Sequence, residues 1–233
     1  MRPEQALDWM RDGTERMLGV MSVLRDADLD EPSLLPGWNR RYLLSHVASN
    51  AEALRNLVHW ARTGEERRMY ASPQQREADI TAGAARPADE LRAWVASSAT
   101  ALAGALDTLP EPAWDARVIT AQGVNRPAAE IPWMRDREVY VHMVDLASGV
   151  GFADLPAGFL TALIDDVTAR RATFSVGPAL DIAATDTGGR WRVAGAGAGA
   201  LRSVSAPLAT LAAWLTGRPE PALRNAPDLP PWL

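Results

Sequence analysis

Three histidines stand in the chain, at positions 46, 59 and 142, and there is no cysteine. A metal site must therefore draw on imidazole nitrogens and carboxylate oxygens, and thiol chemistry needs a sulfur that arrives from outside. His142 follows Glu138 by four residues, a spacing that places both side chains on one face of a helix. Asp145 follows on the same face. An unpaired carboxylate on an inward face costs several kcal/mol or changes its protonation state. A divalent cation removes that cost by neutralising the carboxylate and taking the lone pair of a neutral imidazole. His46, from a facing helix, would complete a set of three ligands and leave a position open for water or substrate. Spacing alone leaves a plainer reading open, since Glu-x-x-x-His is also a common helix-surface hydrogen bond and a lone core histidine is often merely satisfied.

Two helices must position these groups. Leu43, Val47, Leu54 and Ala61 define the buried seam of one of them. At about 100° per residue, His46 lies about 60° from that seam and His59 about 160° from it, facing solvent. In the other helix Ile131, Met134, Val141, His142, Asp145 and Gly149 all fall within about 60° of Glu138. That stripe is the one expected to face the core.

The rest of the first 150 residues also reads as helical. Leu7, Met10, Met17, Met21 and Leu24 share a heptad seam with Thr14. Residues 26–38 break the pattern, Leu35-Pro36-Gly37-Trp38 signals a turn, and Asn39 is a helix N-cap. Residues 63–86 are polar and aperiodic, which predicts a loop or broken helix. Pro87 opens a third helix with Leu91, Ser98, Ala105 and Leu109 inward. A fourth runs from about Pro127 to Ser148, with Pro132 as a point of disturbance. Composition changes after Gly149. A helix over 156–172, a hairpin over 179–195 turning at Thr187-Gly188-Gly189, a strand over 201–205 and a closing helix over 207–216 follow. The expected fold class is α+β: a four-helix bundle over 1–150 and a small α+β domain over 151–233. The glycine-rich stretch 194–199 lacks the Lys-Ser/Thr of a phosphate loop and reads as a flexible turn.

Length and composition set bounds on function. The chain has 233 residues, 47% hydrophobic and 23% charged, as in ordinary globular proteins. A net charge of −5 argues against nucleic-acid binding, which needs basic patches. No run of about 18 apolar residues predicts a membrane span. Met1-Arg2-Pro3-Glu4 lacks the start of a signal peptide, and the absence of cysteine fits a cytoplasmic protein. The nine tryptophans are dispersed and read as packing.

Two segments resemble the mycothiol-dependent maleylpyruvate isomerase family, part of the DinB-like metal-binding four-helix bundles. They are Leu35-Pro36-Gly37-Trp38 with Leu43-Leu44-Ser45-His46-Val47-Ala48-Ser49-Asn50-Ala51, and Trp133-Met134-Arg135-Asp136-Arg137-Glu138-Val139-Tyr140-Val141-His142 continuing to Leu146. The likeness continues through Trp214-Leu215-Thr216-Gly217-Arg218 and Leu229-Pro230-Pro231-Trp232-Leu233. It implies that His46, Glu138 and His142 are ligands of zinc or another divalent metal. It also implies mycothiol as the thiol cofactor, and a catalytic arginine in the small domain. Arg218 is the candidate, with Arg202 and Arg224 as competitors; each could equally be a surface charge. The implied reaction is cis–trans isomerisation of maleylpyruvate to fumarylpyruvate through a mycothiol adduct.

Other residues keep two readings. Asp145 is an acceptor for His142, a spare ligand, or a helix-end carboxylate in water. Arg135 and Arg137 attract an anionic substrate or are simply solvated. The expected partners are a low-molecular-weight thiol and a small anionic or electrophilic substrate. One alternative, a mycothiol S-transferase, keeps the site and releases the conjugate. Another is a non-catalytic helical binding module whose polar seam residues pair with each other. A zinc-water hydrolase ranks below both, because only Asp145 is at hand as an extra base.

Overall fold

The computed structural model describes residues 3–174, 177–196 and 199–232. The chain divides into two compact units, Met1–Gly149 and Val150–Leu233. Residues 197 and 198 of the glycine-rich stretch, and Leu233 of the terminal motif, lie outside the described residues.

In the first unit, α1 (Pro3–Val23), α2 (Arg40–Thr63), α4 (Ala88–Asp107) and α5 (Ile131–Asp145) form the bundle, and α3 (Pro73–Ala84) packs on α2. Helix α1 buries Ala6, Met10, Gly13, Met17 and Met21, the three-and-four spacing of an amphipathic helix. Gly13 permits its close approach to α5: a Cβ there would meet the side chains of Val139 and Tyr140. Asn39 caps α2, its side chain accepting from the Tyr42 N–H at 2.9 Å, and Gly64 ends that helix with φ of 76°. Met10, Leu54, Leu57, Leu102, Leu106, Ile131 and Met134 belong to one continuous core cluster.

Three features depart from the sequence expectations. Residues 63–86 are not only loop, because Ser72 accepts from the Gln75 N–H at 3.0 Å and Pro73 occupies the first turn of α3. The fourth bundle helix begins at Ile131 rather than near Pro127. Pro132 sits in its first turn, where a missing N–H costs nothing, so it starts the helix instead of disturbing it. Ahead of it, β1 (Arg117–Ile119) and β2 (Asn125–Pro127) form a short antiparallel hairpin turning through Gly123.

The second unit contains α6 (Ala157–Phe174), β3 (Leu180–Ala184), β4 (Arg190–Val193), β5 (Arg202–Ala206) and α7 (Leu208–Leu215). Strand β3 is central, antiparallel to β4 and parallel to β5, with Ile182 paired to both Trp191 and Val204. Leu180, Ile182, Ala184, Val193, Val204 and Ala206 are buried, the period-two pattern of a sheet with one covered face. Arg171 of α6, 3% exposed, donates to the carbonyls of Leu215 and Pro230 and so ties α7 and the C-terminal segment together. The fold is α+β, a helical bundle followed by a small α+β unit.

Candidate metal centre

Helices α2 and α5 pack together and bring the predicted residues to one place. His46, in the second turn of α2, is 6% exposed. Glu138 and His142 lie one turn apart on α5 and are the two partly exposed positions of a helix otherwise buried from Ile131 to Asp145. His46 Nε2 is 2.9 Å from Glu138 Oε2, and His142 Nε2 is 3.3 Å from the same oxygen. The two imidazoles meet edge to face with centroids 5.0 Å apart. One donor atom from each of the three residues lies within 4.8 Å of the others.

His142 Nδ1 lies 2.8 Å from Asp145 Oδ2. An ionised carboxylate only accepts, so this nitrogen carries a proton, and in the neutral ring Nε2 turns its lone pair toward Glu138. Two acceptors at that separation repel unless a proton or a cation stands between them. Burial, the largest single influence on His142, lowers its pKa, but the hydrogen bonds to Asp145 and Glu138 outweigh it and the net shift is upward. Burial likewise pushes Glu138 up, and the two histidines more than reverse this, holding it well below the ordinary carboxylate value. His46 is shifted down by burial against the pull of Glu138. Two imidazoles and an anionic carboxylate, one imidazole oriented by a buried acid, are the donors that borderline divalent cations prefer. The residues fit a cation.

Asp145 is fully buried and hydrogen-bonded to His142, so it is not a helix-end carboxylate in water. Arg135 and Arg137 are buried, not solvated. Arg135 Nη1 donates to Val47 O at 2.7 Å and Asn50 Oδ1 at 3.0 Å, bracing α5 against α2 beside Glu138. Burial draws its pKa down to about 10. Between them Asp136, fully buried with neither carboxylate oxygen hydrogen-bonded among the described residues, is pushed up to about 9 by burial. His59 is 40% exposed, 3.6 Å from Glu65, and takes no part.

Sequence reasoning missed two groups. Arg76 of α3 places Nη2 3.1 Å from His46 Nδ1, and its guanidinium lies over the Tyr70 ring at 5.5 Å. The signal for them was Ser72-Pro73, an N-cap followed by a first-turn proline, which starts a helix with Arg76 one turn in. In the second unit, Arg218 follows α7 and donates to Thr216 O at 2.6 Å, while Arg202 and Arg224 are exposed.

A helical bundle that converges two imidazoles and a carboxylate on one point is a candidate metal-binding bundle. The model of the family described as mycothiol maleylpyruvate isomerase N-terminal domain matches residues 10–147. The crystal structure of a mycothiol-dependent maleylpyruvate isomerase is 36% identical, with a TM-score of 0.92, covering 100% of this chain and 98% of that one. A mutant form of the same isomerase gives 35% identity, the same TM-score and the same coverage. No curated protein sequence matches. The chain belongs to the mycothiol-dependent maleylpyruvate isomerase family. It is an enzyme, and the reading as a non-catalytic module falls. No described helix is long and apolar enough to cross a membrane.

Proposed function

We propose that this enzyme isomerises maleylpyruvate to fumarylpyruvate with mycothiol as co-substrate, using zinc or another divalent cation held by His46, Glu138 and His142 in the N-terminal bundle domain. The full-length likeness to a solved isomerase of that name supports the reaction. The single observation that carries the cation is the convergence of two imidazoles on one carboxylate oxygen, with a buried acid behind one of them. When bound, the cation would favour the thiolate form of mycothiol at neutral pH.

The chain's own residues do the rest. Asp145 keeps the proton on His142 Nδ1, so the Nε2 lone pair stays directed into the cluster. Glu138 remains anionic and offsets added positive charge. The low exposure of His46 and Asp145 limits water around the reacting sulfur. The thiolate adds to one carbon of the cis double bond, and the π electrons move into the conjugated carbonyl as an enolate. The new single bond rotates. The enolate then re-forms the double bond in the trans sense and expels the thiolate, so atoms are neither gained nor lost. Arg218 is the group proposed to pair with a substrate carboxylate and the developing enolate.

Protein loaded with zinc and given mycothiol and maleylpyruvate should yield a product of unchanged mass, read by mass spectrometry. A product heavier by one thiol would overturn the isomerase in favour of an S-transferase. His142→Ala should abolish both zinc retention and turnover; turnover persisting without the metal would reject the mechanism.

A further inference from the structure

Arginine is a donor only. Its Nη2, 3.1 Å from His46 Nδ1, therefore fixes that nitrogen as an acceptor. The ring proton of neutral His46 then lies on Nε2, where it is donated to Glu138 across 2.9 Å. This tautomer suits a cluster without a cation. A cation held by the three residues needs the Nε2 lone pair, and the remaining ring proton must move to Nδ1. There it would face the N–H of Arg76, donor against donor. Arg76 and a cation thus compete for opposite tautomers of one imidazole.

The guanidinium displaced in this way has no anion of its own to go to. Among the described residues Arg76 makes no ion pair; its neighbours are the His46 ring and the Tyr70 ring. It also lines an open pocket of about 450 Å³ with Arg68, Tyr70, Ser72 and Thr120, and among the described residues no carboxylate lines that space. A half-buried fork of N–H donors at the rim of the donor cluster, beside a pocket without acids, is suited to a carboxylate.

We propose that Arg76 receives a carboxylate of the substrate, and that cation binding at His46 releases it for that role. The inference rests on the isomerase reading for the identity of the substrate, but not for the linkage itself. Because coupling is reciprocal, a dicarboxylate bound at Arg76 also tightens the cation.

The test uses the full chain, its Arg76→Met variant and maleate as a non-reacting dicarboxylate. Arg76 lies on a largely exposed helix, and circular dichroism verifies that the variant folds. Competition with a chromogenic chelator should show zinc held about fivefold or more tightly by Arg76→Met than by the parent, since the competing donor is gone. Calorimetry on the zinc-loaded proteins should show maleate bound about tenfold or more weakly by the variant. Maleate should tighten zinc in the parent only. Weaker zinc in the variant would make Arg76 a support of His46 and overturn the proposal, as would unchanged maleate affinity. Arg76→Lys, which keeps the charge and loses the fork, should bind maleate between the two; parent-like binding would reduce the role to charge alone and overturn the carboxylate clamp. If the linkage appears while mycothiol and maleylpyruvate give no turnover, the isomerase reading fails and Arg76 stands. If turnover appears without linkage, Arg76 fails alone.

Discussion

The hydrogen bond of 2.8 Å between His142 Nδ1 and Asp145 decides which ring nitrogen faces Glu138. Asn at position 145 can still accept through its carbonyl, but without the charge that favours the Nδ1 proton. Asp145→Asn should therefore weaken zinc binding by about 10–100-fold, measured by chelator competition, while His142 remains in place. An unchanged affinity would mean that the acid does not orient the ring. At this scale the sequence was informative where one face of a helix is the question. The i, i+4 spacing and the seam of α2 pointed Glu138, His142 and His46 inward. Asp145 was visibly on the same face, but spacing cannot distinguish an acceptor from a ligand. Arg135 was misread because periodicity assumes one wet face, and α5 is buried nearly all round.

Helix α3 is the element that periodicity could not reveal. Only Ile80 and Gly83 are buried along its twelve residues, so it carries no apolar stripe. Its start depends on end effects instead, Ser72 as cap and Pro73 in the first turn, and Ser45 Oγ of α2 adds a tertiary contact by donating to the Ile80 carbonyl at 2.7 Å. Ser72→Ala should cost about 1 kcal/mol locally. Amide hydrogen exchange over residues 74–84 should then quicken by roughly fivefold, with exchange in α2 unchanged. Equal rates in the two proteins would show that tertiary contacts, not the cap, hold the helix. Strands β1 and β2 escaped notice for a related reason, since three residues each are too few to show alternation. The longer helices and the β3–β4 hairpin were legible because burial on one side imposes a period on their residues.

Across the whole molecule the shift in composition after Gly149 coincides with the division between the two compact units. All three donors, with Asp145 and Arg76, belong to the first, and Arg218 to the second. Zinc retention and turnover should therefore separate. Arg218→Ala should keep the parent's zinc content, by atomic absorption, and lose about 10²-fold or more in kcat/KM. Loss of zinc in that variant, or full activity, would count against the arginine's proposed part. Only its place in the Trp214–Arg218 stretch of the resemblance sets Arg218 apart from Arg202 and Arg224, because a lone arginine carries no spacing.

The attachment of α3 through a few side chains, Ile80 and Gly83 with the Ser45 hydroxyl, Glu77 with Tyr42 and Arg76 with His46, has an evolutionary corollary. Surface positions along those twelve residues can drift with little penalty to the bundle beneath. A lineage could in this way retune which acids it admits, exchanging one short segment while the chelating side chains stay untouched.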